Sequence, residues 1–227
     1  MIAAFFDFDG TLYTGHLWQD LIHHHLEAKR HRHWVAAYVT RNMAPVPLYK
    51  LGLMSQESFY AGWSRTMGWL LRGWTVEEAQ ALFQQLTEER ILPNLRADTL
   101  ALLRQHQEQG HLVALVSGTF APCLELIARR LEIAHAIGTP LEVRRGRYSG
   151  RTVAPICQGT GKPLRVRSYL AAKRLDVDWS ASYAYADSGT DLPLLNEVGH
   201  PIAVYPDEVL LARAKAQGWS ILPGGKA

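Results

Sequence analysis

Ile2-Ala3-Ala4-Phe5-Phe6-Asp7-Phe8-Asp9-Gly10-Thr11 follows Met1: five apolar residues run without interruption into two carboxylates and a glycine. An unbroken apolar run reads as a parallel strand buried on both faces, and Gly10 marks its opening into a loop. Side chains on a strand alternate with period two, so Asp7 and Asp9 project to the same side. The carboxyl end of a parallel strand is where open α/β sheets bind their ligands. An Asp-x-Asp pair alone is a weak signal, because such pairs also cap turns.

Outward from this stretch, the next strand of the same kind is at residues 112–116. The intervening chain has helical periodicity: Trp18, Leu21, Ile22, His25 and Leu26 share one face, and Trp63, Met67, Leu70 and Trp74 another, although Gly62, Gly68 and Gly73 weaken the second. Thr75 and Glu78 form a capping-box pair opening a helix that runs to about residue 90, before Pro93. From Ala97 helices and strands alternate, with a helix closed by Gly110, strands at 112–116, 183–186 and 202–204, and a helix at 122–131. That alternation predicts a parallel sheet with helices on both faces. Residues 141–143 and 148–153 flank Arg144-Arg145-Gly146-Arg147, which signals an antiparallel hairpin flap.

Composition sets outer limits. The chain has 227 residues, 48% of them hydrophobic, enough for a full core in one domain or in one domain carrying an insert. With 24 Lys and Arg against 21 Asp and Glu, there is no electrostatic case for nucleic acid as the main partner. Two cysteines, Cys123 and Cys157, suit free thiols in a reducing compartment, and no segment is long and apolar enough to span a membrane. A cytoplasmic protein is expected, with residues 223–227 as its one loosely packed end. Oligomeric state is not readable.

The strand ends carry further chemistry. Residues 112–116 lead into Ser117-Gly118-Thr119, a hydroxyl with unhindered backbone N–H groups suited to phosphate oxygens. Gly161-Lys162 opens a helix, and the strand at 183–186 ends in Asp187-Ser188-Gly189-Thr190-Asp191. In this order, with Asp7-Phe8-Asp9-Gly10-Thr11, the four segments resemble the motifs of the haloacid dehalogenase superfamily, in the branch that includes phosphoserine phosphatase. Asp191-Leu192-Pro193-Leu194-Leu195 and Gly199-His200-Pro201-Ile202-Ala203-Val204 also look like an uncharacterised hydrolase group of that branch.

The resemblance implies a Rossmann-like α/β core at residues 1–14 and 92–227, with a helical cap at 15–91 inserted after the first strand. It implies a Mg²⁺-dependent phosphatase acting on a small phosphomonoester. Asp7 would be the nucleophile, Asp9 the general acid and base, and Lys162 with Ser117 and Gly118 the phosphate-binding groups. Mg²⁺ would be held by the Asp7 carboxylate, the Asp9 backbone carbonyl and Asp187, with Asp191 supporting the metal's ligands or Lys162 from behind.

Two positions depart from the branch. Ala186 replaces a usual Gly, which a strand tolerates, and His16 stands where phosphoserine phosphatase carries the Glu that engages the substrate amine. His16 therefore becomes a candidate substrate contact, and phosphoserine is demoted. Counting does not place the matching cap arginine, for which Arg65 is a candidate. An amphipathic or lipid-like phosphate and a phosphorylated amino acid or amino alcohol stay open.

Rival readings differ in chemistry. Carbon–halogen hydrolysis has no alkoxide to protonate, so Asp9 favours phosphoryl transfer. A phosphotransferase would use the same site, and a regulatory module that binds phosphate ligands without turnover would be marked by loss of Asp7, Asp9, Lys162 or Asp187, all present. A nucleotide P-loop at 156–163 fails because Ile156 and Pro163 occupy its first-Gly and Ser/Thr positions. Adjacent helical histidines diverge and only i, i+4 spacing converges, so His23, His24, His25, His31 and His33 are not read as a metal site, and their role stays open. Five of seven Trp fall within residues 15–91, where helical spacing assigns them first to the core, an apolar pocket being the other reading. Arg144, Arg145, Arg147 and Arg151 could meet an anionic head group or keep the hairpin soluble. Cys157 receives no role.

Overall fold

The computed structural model describes residues 1–222; the end read as loosely packed, 223–227, lies outside the described residues. Strand β1 (Ala3–Phe6) is followed by five helices: α1 (Leu17–Glu27), α2 (Arg32–Met43), α3 (Val46–Lys50), α4 (Gln56–Thr66) and α5 (Val76–Leu86). After α6 (Ala97–Glu108) come β2 (Leu112–Phe120), α7 (Ala121–Arg130) and β3 (His135–Thr139). The hairpin β4 (Leu141–Arg144) and β5 (Arg147–Thr152) precedes α8 (Gly161–Lys173), β6 (Tyr183–Ala186), α9 (Leu192–Leu195), β7 (His200–Val204), α10 (Glu208–Gln217) and β8 (Ser220–Leu222).

Among the described residues the main sheet is six-stranded, in the order β3-β2-β1-β6-β7-β8, and every pairing is parallel. The expected Rossmann-like sheet with an inserted helical cap and a hairpin is therefore the architecture. β1 is fully buried because both faces are covered: Ala4, Phe6 and Phe8 join one core layer, and Ala3 and Phe5 the other. The chain leaves β1 towards β2 on one side and returns at β6 on the other. That makes the carboxyl ends of β1 and β6 the topological switch point, where a crevice forms.

Several elements differ from the sequence reading. β2 continues past Val116 to Phe120, with a register irregularity between them that bends the strand at Ser117 and Gly118. The face running from Trp63 to Trp74 is broken where α4 ends at Thr66 and a 3₁₀ turn occupies Met67–Leu71. β3 and β8 were not foreseen: the first contains Gly138 and lies at an edge, and the second has three residues.

The hairpin turns through Arg145 (φ 50°) and Gly146 (φ 75°), two left-handed residues as a tight two-residue loop demands. It is attached to the cap rather than free, because Gly73 N–H donates to Tyr148 O and Tyr148 N–H to Trp74 O, both at 2.9 Å. Arg147 Nη1 donates to Gly73 O at 2.8 Å, and Arg144 pairs with Glu142.

His106 of α6 is buried under the sheet, with Nε2 2.7 Å from Tyr185 OH and Nδ1 2.8 Å from His111 Nδ1. Burial, reinforced by His111, pushes its pKa down to about 4. Between about 6.5, the value for an unperturbed imidazole, and about 4 the unfolded chain binds a proton that the folded chain rejects. This contribution to stability is therefore intact above that window and is lost as pH falls through it. Urea-denaturation midpoints at pH 7 and pH 5 should show wild type losing more stability than His106→Gln, whose amide cannot titrate; equal losses would contradict this placement.

Candidate active site

Asp7 follows β1 directly, its N–H donating to Tyr185 O of β6 at 2.9 Å, and this bond holds it at the switch point. Lys162, in the first turn of α8, is buried with its Nζ 2.6 Å from Asp7 Oδ1 and 2.5 Å from Asp191 Oδ1. The helix starts where it does because Gly161 packs against the chain before it: a Cβ there would meet Ile156 O at 2.0 Å. Thr11 shares one hydroxyl between Asp187 Oδ1 at 3.1 Å and Asp7 Oδ2 at 3.3 Å. Gly10 lets the turn close, since at φ 82° a Cβ would sit 2.1 Å from Asp187 Oδ2.

Asp7, Asp187 and Asp191 thus form one cluster, each offering an oxygen within 4.8 Å of the others'. Asp9 is turned away from it. Its Oδ2 accepts from Thr119 Oγ1 at 2.7 Å and its Oδ1 from Leu17 N–H at 3.0 Å, so the carboxylate touches the first turn of α1. Asp9 therefore joins the core motif to the cap. Ser117 is buried and accepts from Thr119 N–H at 3.2 Å.

Charge is unequally shared in this site. Burial lowers the affinity of Lys162 for its proton, but the carboxylates of Asp191 and Asp7 more than offset that, so its pKa lies above the ordinary lysine value. Burial pushes Asp191 up to about 6, Lys162 opposing and Asp7 adding to the shift. Asp187 is raised well above its ordinary value by burial and then by Asp7 and Asp191, and it makes no ion pair among the described residues. One ammonium leaves this carboxylate cluster short of positive charge. An all-oxygen donor set of that kind fits a hard divalent cation such as Mg²⁺. Asp9 is pushed up to about 6 by burial, against the opposing pull of His16 and the Thr119 hydroxyl.

One cavity of about 460 Å³ is lined by Asp7, Asp9, His16, Ser117, Gly118, Lys162, Asp187 and Asp191, which brings together the site residues singled out in the sequence with the exception of Arg65. The cavity is also lined by aromatic side chains from the cap, Trp18, Tyr38, Phe59, Tyr60 and Trp63, with Met67. Trp18 and Trp63, 5.5 Å apart between ring centroids, both line the cavity and so do not only fill the cap's core. Trp74 is a core residue, packed among His24, His25 and His31, and His25 Nε2 lies 2.7 Å from Leu70 O. Arg65 is exposed and, like the four hairpin arginines, does not line the cavity.

Sequence reasoning gave no role to Thr11, Thr119, Ser64, Gln158 or Asp207. Thr11 and Thr119 stand inside quoted motifs, so their position carried a signal. Ser64 of α4 and Gln158, which precedes α8, carried none; they hydrogen-bond across the cavity between cap and core. Asp207 caps α10 at Leu210 N–H and accepts from Ser188 and Gly189, and its own N–H donates to Asp187 O at 2.7 Å. The loop carrying Asp187 is held from behind in this way.

Removing one partner of a buried charge network costs roughly 3–5 kcal/mol. Lys162→Met should lower unfolding free energy by that order at pH 7.5 in chelator-treated buffer, measured by urea denaturation. The loss should shrink at pH 5.5, where Asp191, raised to about 6, can take up a proton; a loss that grows on acidification would contradict the ion-pair geometry.

The sequence model of the haloacid dehalogenase-like hydrolase family matches residues 4–196. Phosphoserine phosphatase SerB1 of Mycobacterium tuberculosis is 32% identical over 223 residues, 96% of this chain and 70% of that protein. A histidinol-phosphatase of Neisseria meningitidis is 31% identical over 154 residues, 67% of this chain and 69% of that protein. Among solved structures, a Bordetella pertussis protein of unknown function superposes with a TM-score of 0.80 at 29% identity, over 98% of this chain and 99% of that one. A substrate-bound phosphoserine phosphatase gives 0.65 at 18% identity, over 97% and 92%, a likeness of fold. With the family matched along most of its length, the chain belongs to the haloacid dehalogenase-like hydrolases, in the phosphoserine-phosphatase-like branch of phosphoric monoester hydrolases.

Proposed function

We propose that the chain is a Mg²⁺-dependent phosphatase that hydrolyses a small phosphomonoester through an aspartyl-phosphate on Asp7. The observation that carries this reading is the divergence of two neighbouring carboxylates. Asp7 faces Lys162 and the acidic cluster, while Asp9 faces Thr119 and the cap with its pKa raised to about 6. A nucleophile and a separate proton carrier are what phosphate-ester hydrolysis in two steps requires.

In the first step an Asp7 carboxylate oxygen bonds to phosphorus as the ester oxygen departs, taking a proton from Asp9. In the second, Asp9 as a carboxylate removes a proton from water, and that water displaces the Asp7 carboxylate and releases inorganic phosphate. A pKa near 6 suits both duties close to neutral pH. Lys162 stays an ammonium and offsets charge on the phosphoryl oxygens, while the Ser117 hydroxyl and the Gly118 N–H orient them. The residues fitted to hold Mg²⁺ are Asp7, Asp187 and the Asp9 backbone carbonyl, with Asp191 beside them; a bound cation would act as a Lewis acid and cancel carboxylate–phosphate repulsion.

Residues 1–14 and 92–227 are taken as the core and 15–91 as the cap that selects the substrate. His16 at the start of α1 and the aromatic lining that the cap gives the cavity support a substrate other than phosphoserine, with an apolar or amphipathic group on the ester. The two cysteines are buried thiols, and burial pushes Cys157 up to about 12, which suits a reducing compartment, the cytoplasm.

Phosphate release from a generic aryl phosphate should require added Mg²⁺, stop with chelator and be abolished by Asp7→Asn. Asp9→Asn should cost about 10²–10⁴-fold on an alkyl phosphate and less on an aryl phosphate, whose leaving group needs less help from an acid. Activity that survives Asp7→Asn or ignores chelator would overturn the mechanism. Loss of phosphate release in favour of a phosphorylated product when alcohols are added would replace hydrolysis by transfer.

A further inference from the structure

We propose that the tip of the helical cap, around α3, docks on an anionic lipid bilayer and passes a lipid-borne phosphomonoester into the cavity; the second part rests on the phosphatase reading above. At this tip large apolar side chains face solvent. Leu51 and Leu53 are 72% and 74% exposed, Met43 and Leu48 about half so, and Leu53 N–H donates to Leu48 O at 2.9 Å, folding the two leucines into one turn. Scattered exposed leucines need no explanation, but four large apolar residues within one short turn-forming stretch form a patch of the kind that marks an interaction surface.

Charge identifies the occupant. Between Glu27 and Glu57 there is no Asp or Glu, while Lys29, Arg30, Arg32, Arg41 and Lys50 fall in that span. Lys29, Arg30 and Arg32 precede or open α2, at the far end of that helix from Met43, and Arg30 pairs with Glu78, so the cations at the tip itself are Arg41 and Lys50, with no acidic residue in the same span. Arg41 and Lys50, which flank the apolar side chains, are exposed and make no ion pair among the described residues. Apolar groups that insert shallowly beside cations that meet acidic head groups are the two requirements for reversible binding at a bilayer surface. A second copy of the same tip would bring like charges together, which disfavours self-association through this face.

The tip also leads to the site. Tyr49 of α3 stacks on Phe59 with ring centroids 4.5 Å apart, and Phe59 and Tyr60 line the cavity that ends at Asp7. Phe59 in turn lies 6.3 Å from Trp63, which neighbours Trp18. Ring contacts therefore run from α3 through Phe59 and Trp63 to Trp18, and these last three rings line the same cavity as Lys162, a surface against which an acyl or alkyl chain would stay out of water while its phosphate reaches the ammonium. No helix among the described residues is long and apolar enough to cross a membrane, so the contact would be peripheral.

Co-sedimentation with phosphatidylglycerol vesicles, against phosphatidylcholine vesicles, tests the docking. Wild type should partition onto the anionic vesicles and be released by salt. Leu51→Ser/Leu53→Ser and Arg41→Glu/Lys50→Glu should each weaken partitioning about tenfold or more, with thermal melting and aryl phosphate turnover unchanged. Partitioning no better than onto phosphatidylcholine, partitioning equal in the variants, or a concentration-dependent dimer that Leu51→Ser/Leu53→Ser abolishes without any vesicle binding would each overturn it. For delivery, turnover of palmitoyl lysophosphatidate should fall in the docking variants while aryl phosphate turnover holds; vesicle binding with no lysophosphatidate turnover would overturn that half. Absence of aryl phosphate turnover in wild type would instead refute the phosphatase reading and leave the vesicle result interpretable.

Discussion

The buried ammonium of Lys162 is the interaction on which the site depends. It stands between Asp7 at the end of β1 and Asp191 in the loop after β6, and so ties a strand, a helix and a loop from distant parts of the chain. Burial opposes a charged lysine, yet two carboxylates within 2.6 Å outweigh it, and the amine remains the positive centre of an acidic pocket. Without it, three carboxylates at this crevice would repel one another and any phosphate that approached. The tight seat of Gly161 against Ile156 O serves this placement, because it sets where α8 begins.

Around that centre the sheet imposes a division of labour. Asp7 and Asp9 are two residues apart, but β1 ends at Phe6 and the chain turns at Gly10, so only the Asp7 carboxylate stays with the cluster of Asp187 and Asp191. Asp9 is captured by Thr119 from the extension of β2 and by the first turn of α1. One residue thereby senses both the core and the cap, and a cap that shifted would disturb the group assigned to carry the proton. The Ser64–Gln158 hydrogen bond joins cap to core at the same cavity.

Much of this was legible in the sequence because the chemistry lies in short motifs at strand ends, where apolar runs stop abruptly at Asp7, Ser117 and Asp187. The core strands were readable for the same reason, being buried on both faces. Legibility failed where one stretch of chain does not determine its partner. Helical spacing put Trp18, Trp63 and Trp74 on apolar faces but could not say that the first two border a cavity and the third packs among histidines, since that depends on the 3₁₀ turn at Met67–Leu71. β3 and β8 escaped because an edge strand containing glycine and a three-residue strand carry little periodicity. Thr119 was visible, but its bond to Asp9 follows from β2 running on past the irregularity at Val116, which composition does not announce.

The central claim is that Asp7 becomes covalently bonded to phosphorus. Rapid acid quenching during turnover, followed by mass spectrometry of the peptide carrying Asp7, measures this directly. The account predicts a phosphoryl adduct that survives acid, is removed by hydroxylamine as an acyl phosphate must be, maps to Asp7, and is absent from Asp7→Asn. A turning-over enzyme that shows no adduct, or one that places it on another side chain, would contradict it.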